Sequence, residues 1–135
     1  MIPTLNGRWQ TRIGLMGTAG LLVTLLFAAA YASVTPLLLL AYVILIGLAW
    51  DVLYSFLQSQ RWDDDWPPVF ALLGGLAEGA LIWLLVPLLP GVDVTLTFGQ
   101  FALHYLTVSL ITFALMLGPI RILLPRWRFR GGRWI

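Results

Sequence analysis

Residues 13–57 read IGLMGTAGLLVTLLFAAAYASVTPLLLLAYVILIGLAWDVLYSFL, an apolar run interrupted by one charged residue, Asp51. A helix rises about 1.5 Å per residue, so about 20 residues cross a hydrocarbon core of roughly 30 Å. The run is about twice too long for one crossing. Its only polar, proline-containing break is Ser33-Val34-Thr35-Pro36. Proline pushes the residue before it away from helical geometry. The turn belongs there, and the run divides into spans 13–34 and 37–57, a tight antiparallel hairpin.

Outward from this stretch lie two more apolar segments, 69–89 and 101–124. Connection 58–68 before them is charged and rich in Trp, and connection 90–99 between them contains Gly91, Asp93 and Gly99. Lipid offers no hydrogen-bond partner to an exposed backbone, so spans of this length are helical. The expected architecture is an all-α integral membrane protein. A single four-helix transmembrane domain over 1–135 forms two helical hairpins and ends in a basic aromatic tail, 125–135.

Composition agrees. Of 135 residues, 60% are hydrophobic, only 10% are charged and none is Cys, and mean hydropathy is +0.91. Soluble domains carry roughly 25% charged residues. Disorder is excluded by the apolar content, and disulfide or thiolate chemistry by the lack of Cys. Arg8 and Arg12 before an apolar run, with Ala30-Tyr31-Ala32 near its end, could signal a cleaved leader. The run exceeds the roughly 7–15 apolar residues of such leaders, so it is read as a retained span.

All eight basic residues are Arg. Arg8 and Arg12 precede span one, and Arg61 lies between spans two and three. Arg121, Arg126, Arg128, Arg130 and Arg133 lie at or after the end of span four. The first and third connections hold none. Four spans put every Arg on one side, which the positive-inside rule makes the cytoplasm of a bacterial-type inner membrane, with both termini there. Trp9, Trp62, Trp66, Trp127 and Trp134 fall at the same boundary, where amphipathic rings prefer to sit, and Tyr31 marks the opposite one.

Ionisable residues inside spans are the candidate functional groups. Glu78 lies near the midplane of span three, in Gly74-Gly75-Leu76-Ala77-Glu78-Gly79. It is either a proton- or ion-handling carboxylate or a protonated one hydrogen-bonded between helices. Asp51 shares a helical face with Gly47, Tyr54, Ser55 and Gln58. Arg121 has a similar depth, so an Asp51–Arg121 ion pair is expected, ahead of a proton route shared with Glu78. His104 is expected in an interhelical hydrogen bond, with one-sided ligation of a haem or pigment as the alternative. Gly14, Gly17, Gly20, Gly75 and Gly79 are small residues expected at helix contacts. Pro87 and Gly118-Pro119 are expected to kink their helices.

Two polar stretches remain. Asp63-Asp64-Asp65 concentrates negative charge, relieved by the helix dipole of span three, by tail arginines, or more weakly by a divalent cation on oxygen ligands. Arg126, Trp127, Arg128, Phe129, Arg130, Arg133 and Trp134 form an alternating strip expected to anchor on anionic lipid or a partner protein and not on nucleic acid.

There is no phosphate-binding loop, no H-E-x-x-H, no G-x-S-x-G and no Ser/His/Asp trio at plausible depth. No catalytic role is expected, and the sequence requires no cofactor. The leading expectation is a non-catalytic accessory or scaffold subunit of a larger membrane complex, respiratory, photosynthetic or transport, contacting other membrane subunits. The alternative is a homo-oligomeric, proton-coupled small transporter or channel working through Glu78.

Overall fold

The computed structural model describes residues 2–93 and 95–135. These are all-helical, with no strand among them. Four helices are long and apolar enough to cross a membrane. Helix α1 covers Leu5–Tyr31, α2 Thr35–Ser59, α3 Pro68–Leu85 and α4 Phe98–Leu117. Two one-turn helices, α5 (Pro119–Leu123) and α6 (Pro125–Phe129), lead into the tail.

The first boundary departs most from the sequence expectation. Helix α1 starts at Leu5 because Thr4 is extended and its side chain accepts a hydrogen bond from the Gly7 amide at 3.0 Å, a polar N-cap. Arg8 and Arg12 are thus helical residues of α1 and do not precede it. Farther along, Met16–Gly20 widens into a π-helical segment. There the Thr18 hydroxyl donates to the Gly14 carbonyl at 2.6 Å, a local bond that competes with the regular ladder.

The turn between α1 and α2 sits at the proline-containing break. Ala32 closes α1 in the left-handed region at φ 49°. The Ser33 hydroxyl accepts from the Thr35 amide at 3.1 Å, and Pro36 occupies the first turn of α2, where its missing N–H costs nothing. At the start of α4, Thr97 and Gln100 form a reciprocal capping box. Pro87 tightens the end of α3 into a 3-10 turn, Val86–Leu88. Gly118 breaks α4 from α5 at φ −115°, ψ −87°.

Helix α1 packs on α2 and α4, and α3 packs on α4 and α2, so the four close a ring. Its interior holds Leu39, Leu40, Val43, Ile82, Phe101, Tyr105 and Val108. Polarity is inverted relative to a water-soluble protein. Thr24, Asp51, Glu78 and His104 are buried, while Leu26 is 72% and Leu84 73% exposed. Such an outer surface is satisfied by hydrocarbon, not by water. The protein is an integral membrane protein on this pattern and on its four apolar helices.

One end of the bundle collects the polar connections. The Arg8 guanidinium donates to Gln58 at 2.7 Å, and the Gln58 amide donates to the carbonyls of Pro3 and Asp64 at 3.0 and 2.8 Å. The Thr4 amide donates to the Gly131 carbonyl at 2.8 Å. The amino-terminal turn, the 58–68 connection and the tail therefore meet. At the opposite end the Asp93 amide donates to Thr35 Oγ1 at 3.4 Å.

Candidate functional site: a buried arginine between two carboxylates

The site is assembled from α1, α2 and α3. On α2, Gly47, Asp51, Tyr54 and Gln58 are buried at successive helical spacings. On α3, Glu78 is 3% exposed. From α1, Arg12 reaches both acids. Its Nε and Nη2 donate to the two Asp51 carboxylate oxygens at 2.9 Å each. Its Nη1 and Nη2 donate to the Glu78 oxygens at 2.8 and 3.2 Å. A guanidinium presents a planar fork of five N–H donors, and here four bonds tie three helices through one side chain.

This arrangement corrects the expected Asp51–Arg121 pair. Arg12 takes Asp51 because α1 begins two turns earlier than hydropathy alone indicated, which brings Arg12 to the depth of Asp51. The Arg121 Nε is buried with no hydrogen-bond partner.

Aromatic residues wall the site. The Arg8 guanidinium lies 5.1 Å from the Trp66 ring centroid and 5.7 Å from that of Tyr54, within cation–π range. The Tyr105 hydroxyl donates to the Gly75 carbonyl at 2.6 Å. Glycines make the room. A Cβ at Gly47 would overlap the Arg12 guanidinium, one at Gly74 the Tyr54 hydroxyl, and one at Gly79 the Tyr105 ring. Gly14 lies under the Trp134 ring, and Gly20 meets Val108 and Leu40. Gly17 and Gly75, expected at helix contacts, instead face open space, because their sides of α1 and α3 have no neighbour within 4 Å.

Between these groups lies a cavity of about 240 Å³, lined by Arg8, Arg12, Tyr54, Glu78, Tyr105 and Arg121 among others. The tail closes it. Trp127 is 1% exposed, and its indole N–H donates to Thr11 Oγ1 at 2.7 Å. The Thr11 hydroxyl in turn donates to the Gly132 carbonyl at 3.0 Å. Trp127 is therefore packed against α1 and is not the membrane anchor the sequence implied, because Gly131 and Gly132, both at positive φ, turn the tail back onto Gly7. Arg126, Arg128, Phe129, Arg130 and Arg133 remain at the surface.

The other candidates lie elsewhere. His104 Nε2 is 2.9 Å from the Thr24 hydroxyl, an interhelical hydrogen bond between α4 and α1, with Phe27 edge-on to the ring. Asp63 pairs with Arg61 at 3.2 Å and Asp64 adopts φ 53°. Among the described residues no group of three or more His, Cys, Asp or Glu could hold a metal ion. Desolvation is the largest single influence on the Asp63 carboxyl and raises it, but Arg61 and the Asp65 amide together outweigh it and hold the group below the usual range.

Arg12 and Gly47 are the functional residues that hydropathy missed. The usable signal was the pairing rule for buried charge: two intramembrane acids need a cation, and Arg12 adjoins the apolar run. Thr4 as an N-cap would have placed it on the helix.

No protein-family model, curated protein or solved structure matches this chain. The function is therefore argued from the site itself. An arginine bonded to two carboxylates is suited to holding helices together and to keeping a small polar cavity inside a lipid-facing bundle.

Proposed function

We propose that the chain is a non-catalytic accessory or scaffold subunit of a larger membrane assembly. On this reading it sits in a bacterial cytoplasmic membrane as two helical hairpins with both termini in the cytoplasm. The observation that carries the proposal is the engagement of both intramembrane carboxylates, Asp51 and Glu78, by Arg12. A carboxylate held by two guanidinium bonds serves as an internal fastener, leaving the apolar exterior as the surface through which the protein acts. The one-sided Arg distribution supports the orientation. The exposed Arg126, Arg128, Phe129, Arg130 and Arg133 support contact of the tail with anionic lipid or a partner subunit.

Gentle solubilisation and identification of co-migrating chains test the proposal. A stoichiometric set of other membrane proteins is expected. A clean homo-oligomer would sink it.

One observation favours a second reading, a proton-coupled homo-oligomeric transporter: the cavity reaches Glu78. Proton flux in proteoliposomes, compared between the native chain and Glu78→Gln, decides it. Equal flux removes the transporter.

A further inference from the structure

The cavity has hydrogen-bond donors left over, although the Asp65 carboxylate lines it as well. Arg12 already engages both Asp51 and Glu78. Arg8 and Arg121 line the same cavity; Arg8 Nη2 donates to Gln58, and neither arginine forms an ion pair with a carboxylate among the described residues. The Nε atoms of both are buried without a hydrogen-bond partner, and so is the Trp66 indole N–H. The Tyr54 hydroxyl, on a residue only 7% exposed, is likewise unpartnered and lies on the cavity wall. Buried donors without acceptors are costly, and a guanidinium donor is matched best by an oxyanion.

The cavity also has an apolar neighbour. A groove of about 70 Å³ between α3 and α4 is lined by Leu72, Leu76, Leu106 and Leu110. Ala71, Gly75, Ser109 and Phe113 line both voids. At Gly75 a Cβ would meet nothing within 4 Å, so the partition is thin where it is made of backbone. A cluster of cationic donors beside a hydrocarbon-lined groove matches one kind of molecule, with an anionic head and an apolar chain.

We propose that the cavity bounded by Arg8, Tyr54, Trp66 and Arg121 binds the phosphate head group of an anionic membrane lipid, which enters sideways between α3 and α4 past Gly75. The phosphate oxygens accept from the unused guanidinium and indole donors, and an acyl chain lies in the leucine-lined groove. This binding is distinct from surface contact of the tail, whose arginines point outward. It does not depend on whether the protein is a subunit or a transporter.

Native mass spectrometry of the purified full-length chain, titrated with phosphatidylglycerol or phosphatidylcholine, tests this. Phosphatidylglycerol is expected to be retained about tenfold more tightly. Arg121→Gln should weaken its binding about five- to tenfold, as for loss of one charge-assisted phosphate contact. Gly75→Leu should weaken it comparably without lowering the unfolding temperature, since that position has free space. Arg128→Gln, in the exposed tail, should leave it unaltered. Equal retention of the two lipids would overturn the proposal, as would unchanged binding in both the Arg121 and Gly75 variants. Inorganic phosphate alone binding as tightly as phosphatidylglycerol would make this a site for soluble anions and overturn the lipid assignment.

Discussion

The guanidinium of Arg12 occupies the space in which a side chain at position 47 would begin, so Gly47 is what admits the cation between α1 and α2. Arg12 reaches Glu78 on α3 only because α2 carries no Cβ there. The two residues form one device, a notch and the charge seated in it.

Gly47→Ala is therefore expected to destabilise the protein far more than its single methyl group suggests. The displaced guanidinium leaves Asp51 and Glu78 without their cation, a loss of about 3–5 kcal/mol for a broken buried pair. Gly17→Ala, where nothing lies within 4 Å, is expected to be neutral or to stabilise by about 0.5–1 kcal/mol through helix propensity. Thermal unfolding in a mild detergent compares the two.

Arg12→Met should be the most damaging single change, because it strands two buried carboxylates. Adding Asp51→Asn and Glu78→Gln to Arg12→Met should recover much of the lost stability, since neutral amides avoid the cost of unpaired charge. A triple variant no more stable than Arg12→Met alone would show that the charges are not coupled. Arg121→Met, by contrast, should not mimic the loss of Asp51.

Trp127→Phe keeps a buried aromatic ring but removes its hydrogen bond to Thr11. A loss of about 0.5–1.5 kcal/mol is expected. Trp127→Ala should cost about 3–5 kcal/mol and expose the cavity. Amide hydrogen exchange of residues 5–15 would rise in the alanine variant if the tail closes the bundle end.

His104 and Thr24 tie α4 to α1. A double-mutant cycle with Thr24→Val and His104→Phe is expected to give a coupling of about 0.6 kcal/mol, with an upper bound of about 1.7 for bonds of this kind in a bilayer. Zero coupling would mean that packing alone holds the pair.

The Asp63 carboxyl, outside the spans, titrates below its ordinary range because desolvation, the largest single influence, is outweighed by Arg61 and the Asp65 amide, which together stabilise the charged form. A depressed folded pKa contributes stability that is fully present above the unfolded value of about 3.9 and is lost as pH falls through the folded one. The expected effect is confined to acid, below about pH 4, and Asp63→Asn should abolish it. An acid-unfolding series on the two proteins measures this.

Much of the fold was legible residue by residue. The break at Ser33–Pro36 was readable because proline and small polar residues act on their immediate backbone. The four spans were readable because crossing hydrocarbon demands a run of a certain length. The start of α1 was not, since hydropathy registers where apolar residues begin, whereas a helix begins at its cap, Thr4. That offset of two turns hid the role of Arg12.

The sequence by itself determined an all-helical chain with four apolar helices and two acids too deep to be solvated. Only the tertiary structure decided which cation meets those acids, that Trp127 turns inward, and that Gly47 and Gly75 differ, one filled by a guanidinium and the other open. The physical reason is that span length, capping and turn chemistry act between neighbours along the chain. Ion pairing in a bundle depends instead on the rotation and relative depth of helices far apart in sequence, which are set jointly by every contact among them.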